Sequence, residues 1–296
     1  MDPVITVHGL RKRYGAVEAV RGIDLEVRRG EIFAFLGPNG AGKTTTVEIL
    51  AGFRTRSEGE VSVLGVDPAR AGSAWRNRVG AVLQESKPEP GLTVRECLQL
   101  FAGYYEHPRE IDETITLVGL QEKADSLGTQ LSGGQRRRLD VALALIGDPE
   151  LIFMDEPTTG FDPSARRMAW GVIAGLRGLG KTIFLTTHYM DEAENLADRI
   201  AVIAGGRIVA EGTPGTLGGR EQMATRIAFT LPEGIDLPEE LRIAATRVDG
   251  RVVLEAEQPL PLLKTLADWA LERGIDLPDL DVRRPSLEDV YLELTE

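Results

Sequence analysis

Cysteine is almost missing: Cys97 is the single one in the chain, so no intramolecular disulfide can form and the fold must rest on packing and hydrogen bonds. Histidine is nearly as scarce, and His8, His107 and His188 show no metal-ligand spacing. Long apolar runs are missing too. The longest stretch without a charged side chain, Ile32 to Gly42, has eleven residues, well short of the roughly 20 that a bilayer-spanning helix needs. The start, MDPVITVHGLRKRYG, places no apolar stretch behind a basic end, unlike a secretory signal, and a cytosolic location is expected. Positive charge is in deficit, with 34 Lys and Arg against 46 Asp and Glu and a net charge of −12. That balance argues against sequence-independent nucleic-acid binding, which needs a basic surface. The deficit is uneven: residues 1–220 carry 26 basic and 29 acidic side chains, residues 221–296 carry 8 and 17.

What is present is an ordinary globular composition, 42% apolar and 27% charged over 296 residues, with room for one large domain or two. Short apolar runs (VITV, IFAFLG, AVLQ, LIFMDE, TIFLTT, IAVIAGGRIVA) alternate with segments of helical spacing such as Glu96 to Tyr105 and Leu139 to Ile146. The alternation predicts an α/β domain, and IFAF and LIFM suit strands buried on both faces of a sheet. Gly and Thr cluster in GTPGTLGGR, residues 212–220, which predicts a boundary between a domain over 1–220 and a small α+β domain over 221–296. In the latter, TRIAFTL, LRIAATRV and RVVLEAE are expected as strands. PLPLLKTLADWALERG is expected as a helix ended by Gly274. PSLEDVYLELTE is expected as another, capped by Ser286, with Glu288 and Asp289 in its first turn.

Two patterns carry chemistry. Gly37-Pro38-Asn39-Gly40-Ala41-Gly42-Lys43-Thr44 follows the strand IFAFL and opens the helix TTTVEIL, the context a phosphate-binding loop requires. Glycines let backbone N–H groups curl around phosphate oxygens, and the helix N-terminus adds partial positive charge. Lys43 is expected to reach the β and γ phosphates of ATP, Thr44 to ligate Mg²⁺ and Thr45 to make a further phosphate contact. The second pattern is Leu151 to Glu156, four apolar residues ending in two acids, a buried strand releasing carboxylates at the edge where nucleotides bind. Asp155 suits Mg²⁺ through its water ligands, and Glu156 suits the water that attacks the phosphate.

With Leu131-Ser132-Gly133-Gly134-Gln135 a short interval upstream of that strand, the chain resembles the nucleotide-binding subunit of ATP-binding cassette (ABC) transporters over about residues 4–220. The resemblance implies a P-loop NTPase fold of ABC type, with a mixed sheet core and a helical subdomain over about 85–145. It implies further that Tyr14 stacks on adenine, Gln84 lies near Mg²⁺, Asp162 belongs to the D-loop and His188 touches the γ phosphate. Taken singly, these four residues also read as a surface tyrosine, a solvated strand end, a helix N-cap and a core histidine. Phe161 stands where the family more often has Leu. Ser132, Gly134 and Gln135, at a second anion-binding helix start, would face the phosphate loop of a partner subunit. One phosphate loop and one signature then call for a homodimer or a paired cassette. Arg136 to Arg138 fan over roughly 200° of a helix, which suits a solvated or intersubunit salt-bridged face better than nucleic acid. Without a membrane span, transport demands a separate transmembrane permease, with this chain peripheral on the cytoplasmic face of the membrane. Pro285 to Leu292 is similar to the ending of the daunorubicin-resistance type of ABC export ATPase, implying export of drugs or other small hydrophobic compounds. An importer, a lipid or polysaccharide carrier, and an ATPase acting on ribosomes or DNA are the alternatives.

Overall fold

The computed structural model describes residues 2–83, 91–232, 234–243, 245–248 and 250–295. They form two compact units, Met1–Pro214 and Gly215–Glu296.

The first unit opens with β1 (Pro3–Tyr14), β2 (Val17–Arg28), β3 (Ile32–Leu36), α1 (Lys43–Leu50) and β4 (Glu58–Val63). It continues with α2 (Ser73–Arg76), β5 (Val79–Val82), α3 (Val94–Ala102), α4 (Ile111–Leu117) and α5 (Gly133–Leu145). It closes with β6 (Leu151–Asp155), α6 (Pro163–Gly178), β7 (Thr182–Thr187), α7 (Met190–Leu196), β8 (Arg199–Ala204) and β9 (Arg207–Gly212). Strands in the order β5-β6-β7-β3-β8-β9 make a mixed sheet, parallel except for the β8–β9 pair. Every residue of β3, β6 and β7 is buried, which is why their sequences run apolar instead of alternating. Phe184 sits between Phe33 and Phe153, ring centres 5.6 and 5.8 Å away. A smaller antiparallel sheet, β2-β1-β4, includes two strands not expected from the sequence. β2 is one-sided and charged on its outer face, and β4 buries only Val61 and Val63. The expected helix at Glu96 begins two residues earlier, because Thr93 accepts from the Glu96 N–H at 3.2 Å while the Glu96 carboxylate accepts from the Thr93 N–H at 2.8 Å, a reciprocal cap.

The second unit contains β10 (Thr225–Phe229), α8 (Glu239–Ile243), β11 (Ala245–Val248), β12 (Arg251–Ala256), α9 (Pro259–Arg273), β13 (Asp281–Arg283) and α10 (Leu287–Thr295). Its antiparallel sheet, β11-β12-β10-β13, buries Ile227, Phe229 and Leu254 with Leu241, Leu266 and Trp269 from α8 and α9. The expected strand over Leu241 to Val248 is corrected. Leu241 to Ile243 are helical, since Pro238 followed by Glu239 and Glu240 supplies a fixed φ and two acids at a helix start. The division also falls at 214, not 220. The stretch from Leu217 is tied to α10: a Cβ on Gly218 would come 2.5 Å from Val290, and Arg220 Nε donates to the Pro285 carbonyl at 2.7 Å.

Candidate functional site

The cradle lies where β3 hands the chain to α1. Gly42 sits at the N-cap with φ of 108° and no side-chain cap, so no side chain blocks the first-turn N–H groups of α1. Two close approaches fix the loop: a Cβ on Gly37 would lie 2.4 Å from the Ile203 carbonyl oxygen, and one on Gly42 would lie 2.6 Å from that of Ala19. Pro38 and Ala41 close the loop through a 3.2 Å backbone bond. A cleft of about 280 Å³ opens beside it, lined by Asn39, Gly40, Lys43, Thr44, Thr45 and Glu156. The buried Lys43 ammonium donates to the Gly37 and Pro38 carbonyls at 2.8 and 3.2 Å.

Glu156 is the centre of charge. Its side chain is 6% exposed, and its φ of 47° breaks the strand immediately after Asp155, a conformation that costs a non-glycine residue about 1–3 kcal/mol. The Glu156 N–H donates to both the carbonyl and the hydroxyl of Thr186, at 3.1 and 3.0 Å. One carboxylate oxygen lies 3.2 Å from Lys43 Nζ. The other accepts from the Thr159 hydroxyl at 3.0 Å and lies 3.3 Å from His188 Nδ1. Burial pushes the Glu156 carboxyl up, but Lys43, Thr159 and His188 together outweigh it and hold the group below its usual range. Asp155 is buried, with Oδ1 accepting from the Thr186 hydroxyl and Oδ2 buried without a hydrogen-bond partner. An orphaned carboxylate oxygen is costly and is what a divalent cation or its water ligands would satisfy; Thr44, an exposed residue, lines the phosphate-loop cleft. The donor set thus fits Mg²⁺ held largely by hydroxyl, water and phosphate oxygens. Among the described residues no three His, Cys, Asp or Glu side chains form a metal cluster by themselves.

The signature tip is a separate surface. Ser132 caps α5, accepting from the Gln135 N–H at 3.3 Å, while the Gln135 side-chain oxygen accepts from the Ser132 N–H at 3.0 Å. The Ser132 N–H is therefore used within the chain, and Gly133 and Gly134 supply the tip's remaining backbone donors. A wider groove, about 1060 Å³, runs from this tip past Phe161 and Asp162 to Glu156. Asp162 is an N-cap, accepting from the Ser164 and Ala165 N–H groups at 2.9 Å each. Tyr14 ends β1, 40% exposed, with Lys12 and Arg54 5.1 and 5.3 Å from its ring centre; it does not line the phosphate-loop cleft. Gln84 lies outside the described residues.

The reading of Arg136 to Arg138 as a solvated or intersubunit face is corrected for Arg137: its side chain is 12% exposed and donates to the carbonyls of Leu83, Asp155 and Pro157. Arg138 likewise donates to the Gly119 carbonyl at 2.7 Å. Glu192, fully buried in α7, accepts from Thr158 at 2.8 Å and Trp170 at 3.1 Å, and burial pushes its carboxyl up. Its only sequence signal is an acid four residues beyond His188, on a helix whose other buried positions are Ala193 and Leu196.

A family model described as ABC transporter matches residues 20–159, and one described as ABC transporter domain-containing protein-like, C-terminal domain, matches residues 225–286. The Nod factor export ATP-binding protein I of Ralstonia nicotianae is 42% identical, over 99% of this chain and 94% of the relative. The daunorubicin resistance ATP-binding protein DrrA3 of Streptomyces coeruleorubidus is 38% identical, over 99% and 96%. A solved ATP-binding subunit of an ABC transporter shares the fold over 99% of this chain and 100% of its own, with a TM-score of 0.68 and 23% identity. A dimeric ATP-binding cassette in a post-hydrolysis state, bound to ADP and Pi, matches 71% of this chain and 98% of its own, with a TM-score of 0.64 and 25% identity.

Proposed function

We propose that this chain, which belongs to the ABC transporter family as an ATP-binding, ATP-hydrolysing subunit of export type, works by closing with a second cassette around ATP and so drives a separate transmembrane permease. What carries the reading is Glu156, a buried carboxylate held between the phosphate-loop lysine at 3.2 Å and His188 at 3.3 Å. Lys43, with the N–H groups of the Gly37–Gly42 loop and the hydroxyl of Thr45, binds the β and γ phosphates. Glu156 orients the attacking water and takes its proton as the bond from γ phosphorus to the bridging oxygen breaks, and His188 contacts the γ phosphate. Mg²⁺, when bound, neutralises charge on the β and γ phosphates; Thr44 and Asp155 are the described residues that would hold it, with Gln84 as a third. Tyr14 stacks on adenine. The partner's tip supplies the Gly133 and Gly134 N–H donors and the Ser132 hydroxyl from across the interface, Gln135 fixes that tip through its cap, and Asp162 lies at the seam.

The dimeric, ADP- and Pi-bound cassette among the solved relatives supports the pairing. Relatives named for Nod factor export and daunorubicin resistance support export, with drugs or other small hydrophobic compounds as the proposed cargo. No helix among the described residues is long and apolar enough to cross a membrane, which supports a peripheral position on the cytoplasmic face beside a permease. Glu156→Gln with ATP and Mg²⁺ should lose roughly 10²–10⁴-fold in turnover and elute as a nucleotide-bound dimer in light scattering. A monomer that still hydrolyses ATP at the original rate would overturn the mechanism.

A further inference from the structure

We infer that Arg137 is a positioning residue for ATP hydrolysis, a strut that makes the signature helix α5 and the carboxyl ends of β5 and β6 move as one piece. Arg137 starts on the second turn of α5, two residues beyond Gln135 of the signature tip. Its Nη2 donates to the Asp155 carbonyl at 2.6 Å and lies 3.4 Å from that of Glu156. Its Nε donates to the Pro157 carbonyl at 3.2 Å, and Nη1 donates to the carbonyl of Leu83, just beyond β5. One side chain thus holds the main chain on both sides of the hydrolytic carboxylate and the segment leading to Gln84.

The local geometry explains why a guanidinium is there. Glu156 departs from the strand at φ 47° and its carbonyl accepts from the Thr159 N–H at 3.3 Å, while Arg137 donates to the carbonyls on either side of it, Asp155 and Pro157. A planar group with five N–H donors in a fixed fork can serve several carbonyls at once, whereas a lysine ammonium at the end of a flexible stem cannot reproduce that plane. Burying the charge is costly, and Asp140 at 3.9 Å is its nearest ion-pair partner. The neighbouring Arg138 binds the same helix to the Gly119 carbonyl and has no bond to β6, so the two arginines divide the work: one holds α5 within the helical segment, the other holds it to the chemistry. Displacing α5 therefore displaces the backbone of Glu156, and the reverse.

The inference rests on the reading of Glu156 as the hydrolytic carboxylate. Its test compares Arg137→Gln, Arg137→Lys, Arg138→Ala and Glu156→Gln in the full-length chain, measuring steady-state ATP turnover and, separately, affinity for a fluorescent ATP analogue. Arg137→Gln should lower kcat tenfold or more with nucleotide affinity within twofold, Arg137→Lys should fall between it and the native chain, and Arg138→Ala should change kcat by less than threefold. Native kcat in Arg137→Gln, or parallel loss of kcat and affinity with no recovery in Arg137→Lys, overturns the strut. Should Arg137→Gln fail to fold, Arg137→Lys decides alone: a kcat lowered threefold or more at unchanged affinity supports the strut, and a smaller change overturns it. Normal turnover in Glu156→Gln would instead remove the underlying reading of the site.

Discussion

Two helices in this molecule begin with glycine-rich segments, and they are finished in opposite ways. At α1 the N-cap is Gly42, left-handed and without a capping side chain. At α5 Ser132 and Gln135 cap each other within the chain. The first end leaves its anion-binding capacity to an external group, and its loop is pinned by backbone contacts that tolerate no side chain. At the second end Ser132 and Gln135 satisfy each other's N–H groups, and the Gly133 and Gly134 N–H groups are its remaining donors. On the proposed function, the uncapped end suits a site that holds its ligand strongly, and the partly capped end suits a surface that a partner uses intermittently.

Several substitutions test this contrast. The largest effect belongs to Lys43→Ala, which removes a buried cation aimed at the cleft: turnover should fall by roughly 10²–10³-fold, about 3–4 kcal/mol of transition-state stabilisation, in a phosphate-release assay, and near-native turnover would place the cradle elsewhere. Gly42→Ala follows, because a side chain there meets the Ala19 carbonyl at 2.6 Å and must hold φ near 108°. Urea titration should register about 1–3 kcal/mol of lost stability, together with weakened nucleotide binding. Ser132→Ala should cost about 1 kcal/mol, the usual value of a lost N-cap, with ATP-analogue affinity of the isolated chain unchanged; an equal loss of affinity would dissolve the distinction between the two ends. The smallest effect is the pH response of Glu156. Its carboxyl titrates below its usual 4.5 in the folded chain, so its stabilising share is complete above that value and disappears as pH falls through the lowered one. Acid titration of stability should therefore be shallower for Glu156→Gln than for the native chain below pH 4.5.

The two ends also differed in how much the sequence disclosed. Gly37 to Thr44 is a local pattern: strand, glycine loop, helix and lysine are contiguous, so chain order alone places them. The buried strands β3, β6 and β7 were legible for the same reason, since double-sided burial writes a continuous apolar run. Arg137 was not legible. Helical spacing shows how neighbouring side chains diverge from one another, but not which of them faces the protein, and its acceptors lie 54 and 18 to 20 residues away along the chain. Leu241 to Ile243 failed differently: three alternating residues fit a strand, and only the preceding Pro and two Glu favour a turn of helix. Asp162 satisfied two readings at once, since its carboxylate caps α6 whether or not it also meets a partner, and only an assembled pair can separate those roles.

Lys43 carries a single positive charge and already divides it among two carbonyl oxygens and Glu156. In the proposed mechanism a triphosphate entering the cleft would compete for that charge and draw the ammonium away from the glutamate. Loss of that neighbour would raise the carboxylate's affinity for a proton, as the base proposed above requires. On that reading the lysine is a safety catch on the proposed reaction, released by the fuel that arrives in the chamber.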